Sequence, residues 1–151
     1  MPNLPKGRIG CALGGGGVRG ASHIGALKVL EQHGIFPDVI AGTSAGALVG
    51  ALYAYGLKPA DIEKLALELS WREMGRLTDL NMPRSGLVRG KRITTRLKSI
   101  LGDVRFSDLK VPFVCVATDI ITGEEVLLGD GCSVAARWLM LYERASPCLD
   151  S

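Results

Sequence analysis

The chain has 151 residues, of which 47% are apolar, so it is long enough for one domain with a hydrophobic core. Its formal charge of +3 is small and only 5% of its residues are aromatic, which argues against a general nucleic-acid-binding role. No window contains the roughly 18 consecutive apolar residues of a membrane span, and the four cysteines show no spacing typical of a zinc site or a disulfide framework.

The first predicted elements are a strand, a glycine loop and a helix. An apolar run over Arg8–Leu13 predicts the strand, and the glycine loop at 14–20 follows it. A helical pattern of apolar residues comes next, at Ile24, Leu27 and Leu30. Gly34 is placed to end this helix as its C′ residue, and a second buried strand follows at Val39–Ala41.

The later elements continue the alternation of helix and strand. Ala45–Tyr55 predicts a buried helix, and Pro59 is placed in the first turn of the next one. An amphipathic helix is predicted over Lys91–Leu101, with an apolar side formed by Ile93, Leu97, Ile100 and Leu101. Pro112–Thr118 and Glu125–Leu128 form a predicted hairpin. This order predicts an α/β fold with three layers, in which helices cover both faces of a mainly parallel sheet.

Residues 42–46 read Gly-Thr-Ser-Ala-Gly, the pattern of a nucleophile elbow. They lie between a predicted strand and a predicted helix, which is the context that this motif requires. The small residues Gly42 and Gly46 let the backbone turn tightly around Ser44, and the helix N-terminus directs free N–H groups at the site. We therefore predict that Ser44 is the attacking hydroxyl of a serine hydrolase.

The glycine loop before the first helix has three interpretations. Gly15, Gly17 and Gly20 fit the pattern of a dinucleotide-binding loop, but the acidic residue expected at the end of the second strand is missing. A P-loop is excluded because no Gly-Lys-Ser or Gly-Lys-Thr follows. The third interpretation is an oxyanion hole, in which the N–H groups of Gly16 and Gly17 join that of Ala45. A nucleotide-binding module remains the rival of the hydrolase hypothesis.

The two histidines argue against a Ser-His-Asp triad. Both precede Ser44, whereas the α/β-hydrolase family places its acid and its histidine after the serine. For His23 we favour packing against the backbone over a role as catalytic base. His33, near the end of a helix, is interpreted as a surface residue that compensates the helix dipole.

Three motifs give the sequence a resemblance to a known family. They are Gly-Gly-Gly-Val-Arg-Gly at 15–20, the elbow at 42–46, and Val-Ala-Thr-Asp-Ile with Thr-Gly-Glu at 116–124. With these motifs the chain resembles the patatin-like phospholipases, in particular their small bacterial members, from Arg8 to about Ala136. The resemblance implies a Ser-Asp dyad that hydrolyses acyl esters of phospholipids or lysophospholipids. It also implies that Ser44 is the nucleophile, that Gly15–Gly17 form the oxyanion hole, and that Arg19 helps to hold that loop.

The resemblance breaks where the family's catalytic aspartate would follow. That residue lies in an Asp-Gly-Gly or Asp-Gly-Ala turn beyond the hairpin, and neither Asp130 nor Asp150 matches this context. From Arg137 the residues are bulky where the family has a small-residue helix. We therefore divide the chain into a partial patatin-like domain at 1–136 and a divergent tail at 137–151. The tail is interpreted as a product of a shifted reading frame or premature stop, or as a genuine short variant. An inactive fragment or binding protein without the dyad aspartate is the alternative to an active hydrolase.

A basic segment lies between Met82 and Leu101 and contains no acidic residue. Its basic residues are Arg84, Arg89, Lys91, Arg92, Arg96 and Lys98. Such a segment predicts either peripheral contact with anionic lipid headgroups or a solvated helix face. We expect a lipid acyl ester as the partner of the site, with no cofactor, metal or nucleic acid. The expected location is the cytoplasm, at most peripheral to a membrane.

Overall fold

A computed structural model of the chain describes residues 7–68, 91–119, 121–129 and 133–134, with the backbone alone at 91–94. Its centre is a four-stranded sheet in the order β1-β2-β3-β4. The strands are β1 at Gly10–Leu13, β2 at Val39–Gly42, β3 at Phe113–Thr118 and β4 at Glu125–Leu128. The first three are parallel, and β4 runs antiparallel to β3 as the second strand of the predicted hairpin. The carboxyl ends of β1, β2 and β3 therefore lie at the same edge of the sheet.

The helices follow the strands in the predicted order. They are α1 at Ser22–Gln32, α2 at Ala45–Tyr55, α3 at Pro59–Glu68 and α4 at Lys91–Leu101. The bounds of α2 and α4, the start of α3 at Pro59 and the end of α1 before Gly34 confirm the sequence predictions. Two short 3₁₀ helices, Gly17–Ala21 and Phe106–Asp108, were not predicted.

The apolar helix α2 lies at the centre of the core. It packs on β1, β2 and β3 and also contacts α1 and α3, and every residue from Ala45 to Ala54 is buried. Alternate side chains of the strands point toward this layer and are also buried. They are Leu13, Ile40, Phe113, Cys115 and Leu128.

The opposite face of the sheet has a different environment. Val39 and Leu127, whose side chains alternate with those of the core, are exposed. The α/β class and the mainly parallel sheet are confirmed by this topology. The three-layer arrangement, with helices on both faces of the sheet, stays a prediction.

A side-chain hydrogen bond joins α1 and α2. The buried Tyr53 of α2 donates its hydroxyl to Oε1 of Glu31 in α1 at 2.9 Å. Burial and this carboxylate raise the pKa of Tyr53 to about 12. The phenol therefore stays protonated as a donor at neutral pH, which links α1 to α2.

Candidate active site

Ser44 adopts a strained conformation between β2 and α2. Its φ of 49° and ψ of −123° make it the one non-glycine residue with positive φ within the described ranges. Such backbone conformations cost on the order of 1–3 kcal/mol and cluster at functional sites. The residue is half-buried at the carboxyl edge of the sheet, directly before the N-terminus of α2. This is the strand-turn-helix geometry that the elbow motif requires.

Gly46 and Gly42 explain how the turn closes so tightly. A Cβ atom on Gly46 would clash with the carbonyl oxygen of Leu13, so the first turn of α2 lies directly against the end of β1. On Gly42, a Cβ atom would lie 2.6 Å from Cα of Ala47. The backbone N–H of Thr43 donates to the carbonyl of Leu13 at 3.1 Å and closes the contact. Neither glycine can be replaced without moving backbone.

The glycine loop leaves β1 beside this turn and reaches Ser44. A Cβ atom on Gly15 would lie 3.4 Å from Cβ of Ser44, so the two residues are in van der Waals proximity. Gly16 has a φ of 142°, a conformation that other residues rarely adopt. A Cβ atom on Gly20 would clash with Cβ of Ala45. The loop and the 3₁₀ helix after it are thus packed onto the first turn of α2.

The predicted oxyanion donors lie in this loop and at the start of α2. Within the described residues, no backbone carbonyl accepts a hydrogen bond from the N–H group of Gly15, Gly16, Gly17 or Ala45. For Ala45 the reason is general, since the first N–H groups of a helix have no partner inside it. Gly15 and Ala45 both lie next to Ser44, so two of the predicted donor residues are close to the nucleophile.

Arg19 contacts the loop through its backbone. Its N–H donates to the carbonyl of Gly16 at 3.1 Å, and its own carbonyl accepts from Oγ of Ser22 at 2.8 Å. The residue is exposed to solvent. A role for its guanidinium group in holding the loop stays a prediction.

Both histidines contact backbone carbonyls, although packing against the backbone was expected only for His23. Nε2 of His23 lies 2.8 Å from the carbonyl oxygen of Gly14, at the start of the glycine loop. Nδ1 of His33 lies 2.8 Å from the carbonyl oxygen of Val29, at the exposed C-terminal end of α1. The sequence did not predict which carbonyl His23 contacts, because the two residues lie on different elements.

Asp119 is a carboxylate at the same edge of the sheet as Ser44. It belongs to the Val-Ala-Thr-Asp-Ile motif at 116–120 but was not among the predicted site residues. It follows β3, the strand next to β2, and an acidic residue in that position is the signal that could have identified it. Its Oδ1 accepts from the N–H groups of Ile121 at 2.7 Å and Thr122 at 3.2 Å, which shapes the hairpin turn. Asp130, Asp150 and the tail at 137–151 lie outside the described residues.

The cysteines of the sheet do not compete with Ser44 as nucleophiles. Burial raises the pKa of the Cys115 thiol to about 12, and it also raises the pKa of Cys11. Both are free thiols that stay protonated at neutral pH. In the part of the chain that the structure describes, no group of three His, Cys, Asp or Glu side chains could hold a metal ion.

Two members of the basic segment form ion pairs on the surface. Arg96 lies 3.7 Å from Glu68, and Lys98 lies 3.4 Å from Asp103. Exposed ion pairs of this kind contribute only about 0–1 kcal/mol to stability. Neither pair therefore holds its cation firmly. Arg84, Arg89 and the side chains of Lys91 and Arg92 lie outside the described residues. Among the described helices, none combines the length and apolar character needed to cross a membrane.

Solved structures show similarity in fold. Two crystal structures of the type III effector ExoU, one of them the full-length Pseudomonas aeruginosa protein with SpcU, superpose with TM-scores of 0.59 and 0.61. The sequence identities are 20% and 16%, over 89% and 91% of this chain and 38% and 39% of the ExoU chains. At this identity the comparison concerns the fold alone.

Three known proteins are similar to this chain in sequence. Lysophospholipase NTE1 of Eremothecium gossypii is 41% identical over 74% of this chain, which corresponds to 8% of that protein. An uncharacterized NTE family protein of Mycobacterium tuberculosis is 36% identical over 79% of this chain and 33% of its own length. Neuropathy target esterase sws of Drosophila melanogaster is 38% identical over 74% of this chain and 8% of its length. The chain thus spans a third or less of these relatives.

The family profile described as patatin-like phospholipase matches residues 11–140, which include the glycine loop, the elbow and the hairpin. This family and its lysophospholipase members support lipid hydrolysis at the level of the family. The chain belongs to the patatin-like phospholipase family.

Proposed function

We propose that the chain provides the nucleophile and oxyanion hole of a lipid acyl-ester hydrolase that acts on phospholipids or lysophospholipids. The observation that carries this proposal is the strained backbone of Ser44 beside Gly15 and Ala45. Among the described residues, the N–H groups of Gly15 and Ala45 donate to no backbone carbonyl. The family match and the lysophospholipase names of relatives support the same substrate class.

In this proposal, Oγ of Ser44 attacks the ester carbonyl carbon and the carbonyl oxygen becomes an oxyanion. The N–H groups beside Ser44 stabilise that charge, and each such donor contributes about 2.7–4 kcal/mol in well-studied hydrolases. A base takes the hydroxyl proton of Ser44 and passes it to the alcohol as the ester C–O bond breaks. Water then hydrolyses the acyl-enzyme, which releases the fatty acid and restores the serine hydroxyl. Family membership supports an aspartate as the base of a Ser-Asp dyad, and ester substrates suit so weak a base.

An apolar rim supports a lipid as the substrate. Val18, in the 3₁₀ helix after the glycine loop, is 60% exposed, and Ile121, in the hairpin turn, is 64% exposed. Gly42 pairs with Cys115, and β3 continues beyond that level to Thr118. The hairpin turn therefore projects roughly 10 Å past the end of β2. Val18 and Ile121 thus lie at the same edge of the sheet as Ser44, where an acyl chain would approach.

A second candidate function is a binding protein or inactive fragment that keeps the elbow without a working base. It is favoured by the contacts of Asp119, a carboxylate at this edge of the sheet, whose Oδ1 accepts hydrogen bonds from two hairpin N–H groups. Such a protein would react once at Ser44 but would not turn over an ester.

Covalent labelling tests the proposed function. We expect an alkyl fluorophosphonate to modify Ser44, because its Oγ can attack phosphorus as fluoride leaves, and we expect Ser44→Ala to remove both labelling and lysophospholipid hydrolysis. Ser99→Ala, which alters an exposed hydroxyl on α4, is the matched control and should label normally. Intact mass and peptide mapping locate the adduct. Labelling without hydrolysis would favour the second candidate, and an unlabelled wild type would refute the nucleophile.

Chain-length preference tests the apolar rim. We expect Val18→Asp and Ile121→Asp to lower the ratio of labelling rates for long-chain over short-chain fluorophosphonates about tenfold each, because each change removes apolar contact worth roughly 1–2 kcal/mol. Phe36→Asp is the matched control, since Phe36 is 59% exposed but precedes β2 and lies at the opposite edge. A ratio unchanged in both rim variants would show that acyl chains do not cross this rim.

A further inference from the structure

The contact between His23 and Gly14 connects α1 to the beginning of the glycine loop. A carbonyl oxygen can only accept, so Nε2 of His23 must carry the proton and donate it across the 2.8 Å contact. The same oxygen lies against the first turn of α2, because a Cβ atom on Gly46 would lie 2.5 Å from it. The carbonyl of Gly14 is thus held between the N-terminal turns of two helices.

This contact fixes more than one atom. The carbonyl of Gly14 and the N–H group of Gly15 belong to one planar trans peptide unit, in which they point in opposite directions. When His23 holds the oxygen toward α1, the N–H group of Gly15 is therefore held on the opposite side of the peptide, away from His23. Gly15 itself lies beside Ser44, because a Cβ atom built on Gly15 would lie 3.4 Å from Cβ of Ser44.

The residues of this segment do not themselves restrict the orientation of this peptide. The two residues that it joins, Gly14 and Gly15, and the next residue, Gly16, are all glycines, which populate positive and negative φ with similar ease. A flip of the peptide would replace the N–H donor by a carbonyl oxygen. That oxygen would repel a developing oxyanion instead of stabilising it.

We infer that His23 is a positioning residue, which holds the Gly14–Gly15 peptide so that the N–H group of Gly15 donates to the oxyanion. This inference rests on the proposed function of Ser44. His23 does not act as the base in this role, since its donating nitrogen is engaged with the carbonyl of Gly14. Its contribution comes through the loop, without contact to the substrate.

The test compares the rates at which variants of the whole chain react with one fluorophosphonate. In His23→Ala we expect the maximal labelling rate of Ser44 to fall 10- to 100-fold with little change in the concentration for half-maximal rate, because the phosphoryl oxygen takes the oxyanion position. His23→Gln should recover most of the rate, since its amide can donate to the same carbonyl. His33→Ala is the matched control, because that ring also contacts a backbone carbonyl on α1 but lies far from the loop in the fold.

The outcomes separate this inference from the proposed function. An unlabelled wild type would refute the function of Ser44 itself. A wild type that labels while His23→Ala labels equally fast would overturn the positioning role and leave the nucleophile intact. A rate lost in both His23 variants, together with a lower melting temperature, would show a structural role and would also overturn the inference. Rescue by glutamine at an unchanged melting temperature supports it.

Discussion

A Gly46→Ala variant is expected to lose about 3 kcal/mol of folding free energy and to leave Ser44 unlabelled by fluorophosphonate. The new Cβ atom would overlap the carbonyl group of Leu13 and approach that of Gly14. These are backbone atoms of β1 and the glycine loop, so no side chain can rotate to make room. The first turn of α2 must therefore move away from β1, and Ser44 moves with it.

Gly25→Ala provides the matched control for this prediction. Gly25 lies in α1, and a Cβ atom there would meet no atom of another element within 4 Å. Alanine should stabilise that helix by roughly 0.5–1 kcal/mol. Urea denaturation gives the free energies, and mass spectrometry gives the labelling. A Gly46→Ala protein as stable and reactive as the wild type would mean that β1 and α2 are not in contact as described.

The second large effect is expected at Ile40. This residue lies in the central part of the sheet with 0% of its surface exposed, and it packs under α2, where a Cβ atom on Gly50 would lie 3.1 Å from its Cγ2. Ile40→Ala is expected to reduce the free energy of unfolding by about 2–5 kcal/mol, because both the transfer energy and the packing are lost.

Its neighbour Val39 supplies the comparison. Val39 is 43% exposed and points to the opposite face of the sheet, so Val39→Ala should cost less than about 1 kcal/mol. Both variants can be measured by circular dichroism in urea. Equal losses in the two variants would contradict the assignment of Ile40 to the core face.

Much of the fold could be predicted because its elements have strong local patterns. The apolar run at Ala45–Tyr55 and the amphipathic pattern at Lys91–Leu101 gave the bounds of α2 and α4. The 3₁₀ helix at Gly17–Ala21 has no such pattern, since a glycine-rich segment has little intrinsic preference. Its conformation depends on packing against Ala45, which is distant in sequence.

The site could be predicted in chemistry but not in geometry. The elbow motif identified Ser44 and the loop motif identified the glycines beside it, because both are contiguous in sequence. The hydrogen bond from His23 to Gly14 joins residues on a helix and a loop, and no spacing rule indicates it. The position of Asp119 depends on strand order and register, which become apparent only when β3 pairs with β2.

The close approach of Gly46 to Leu13 has a consequence for how this site is inherited. The backbone contacts shown around Ser44 join β1, the glycine loop, β2 and α2, which belong to one β-α-β-α segment. Such a segment can be carried as a module into proteins of very different length. The fungal, insect and mycobacterial relatives, in which the matched region is 8%, 8% and 33% of the protein, differ in size in just this way.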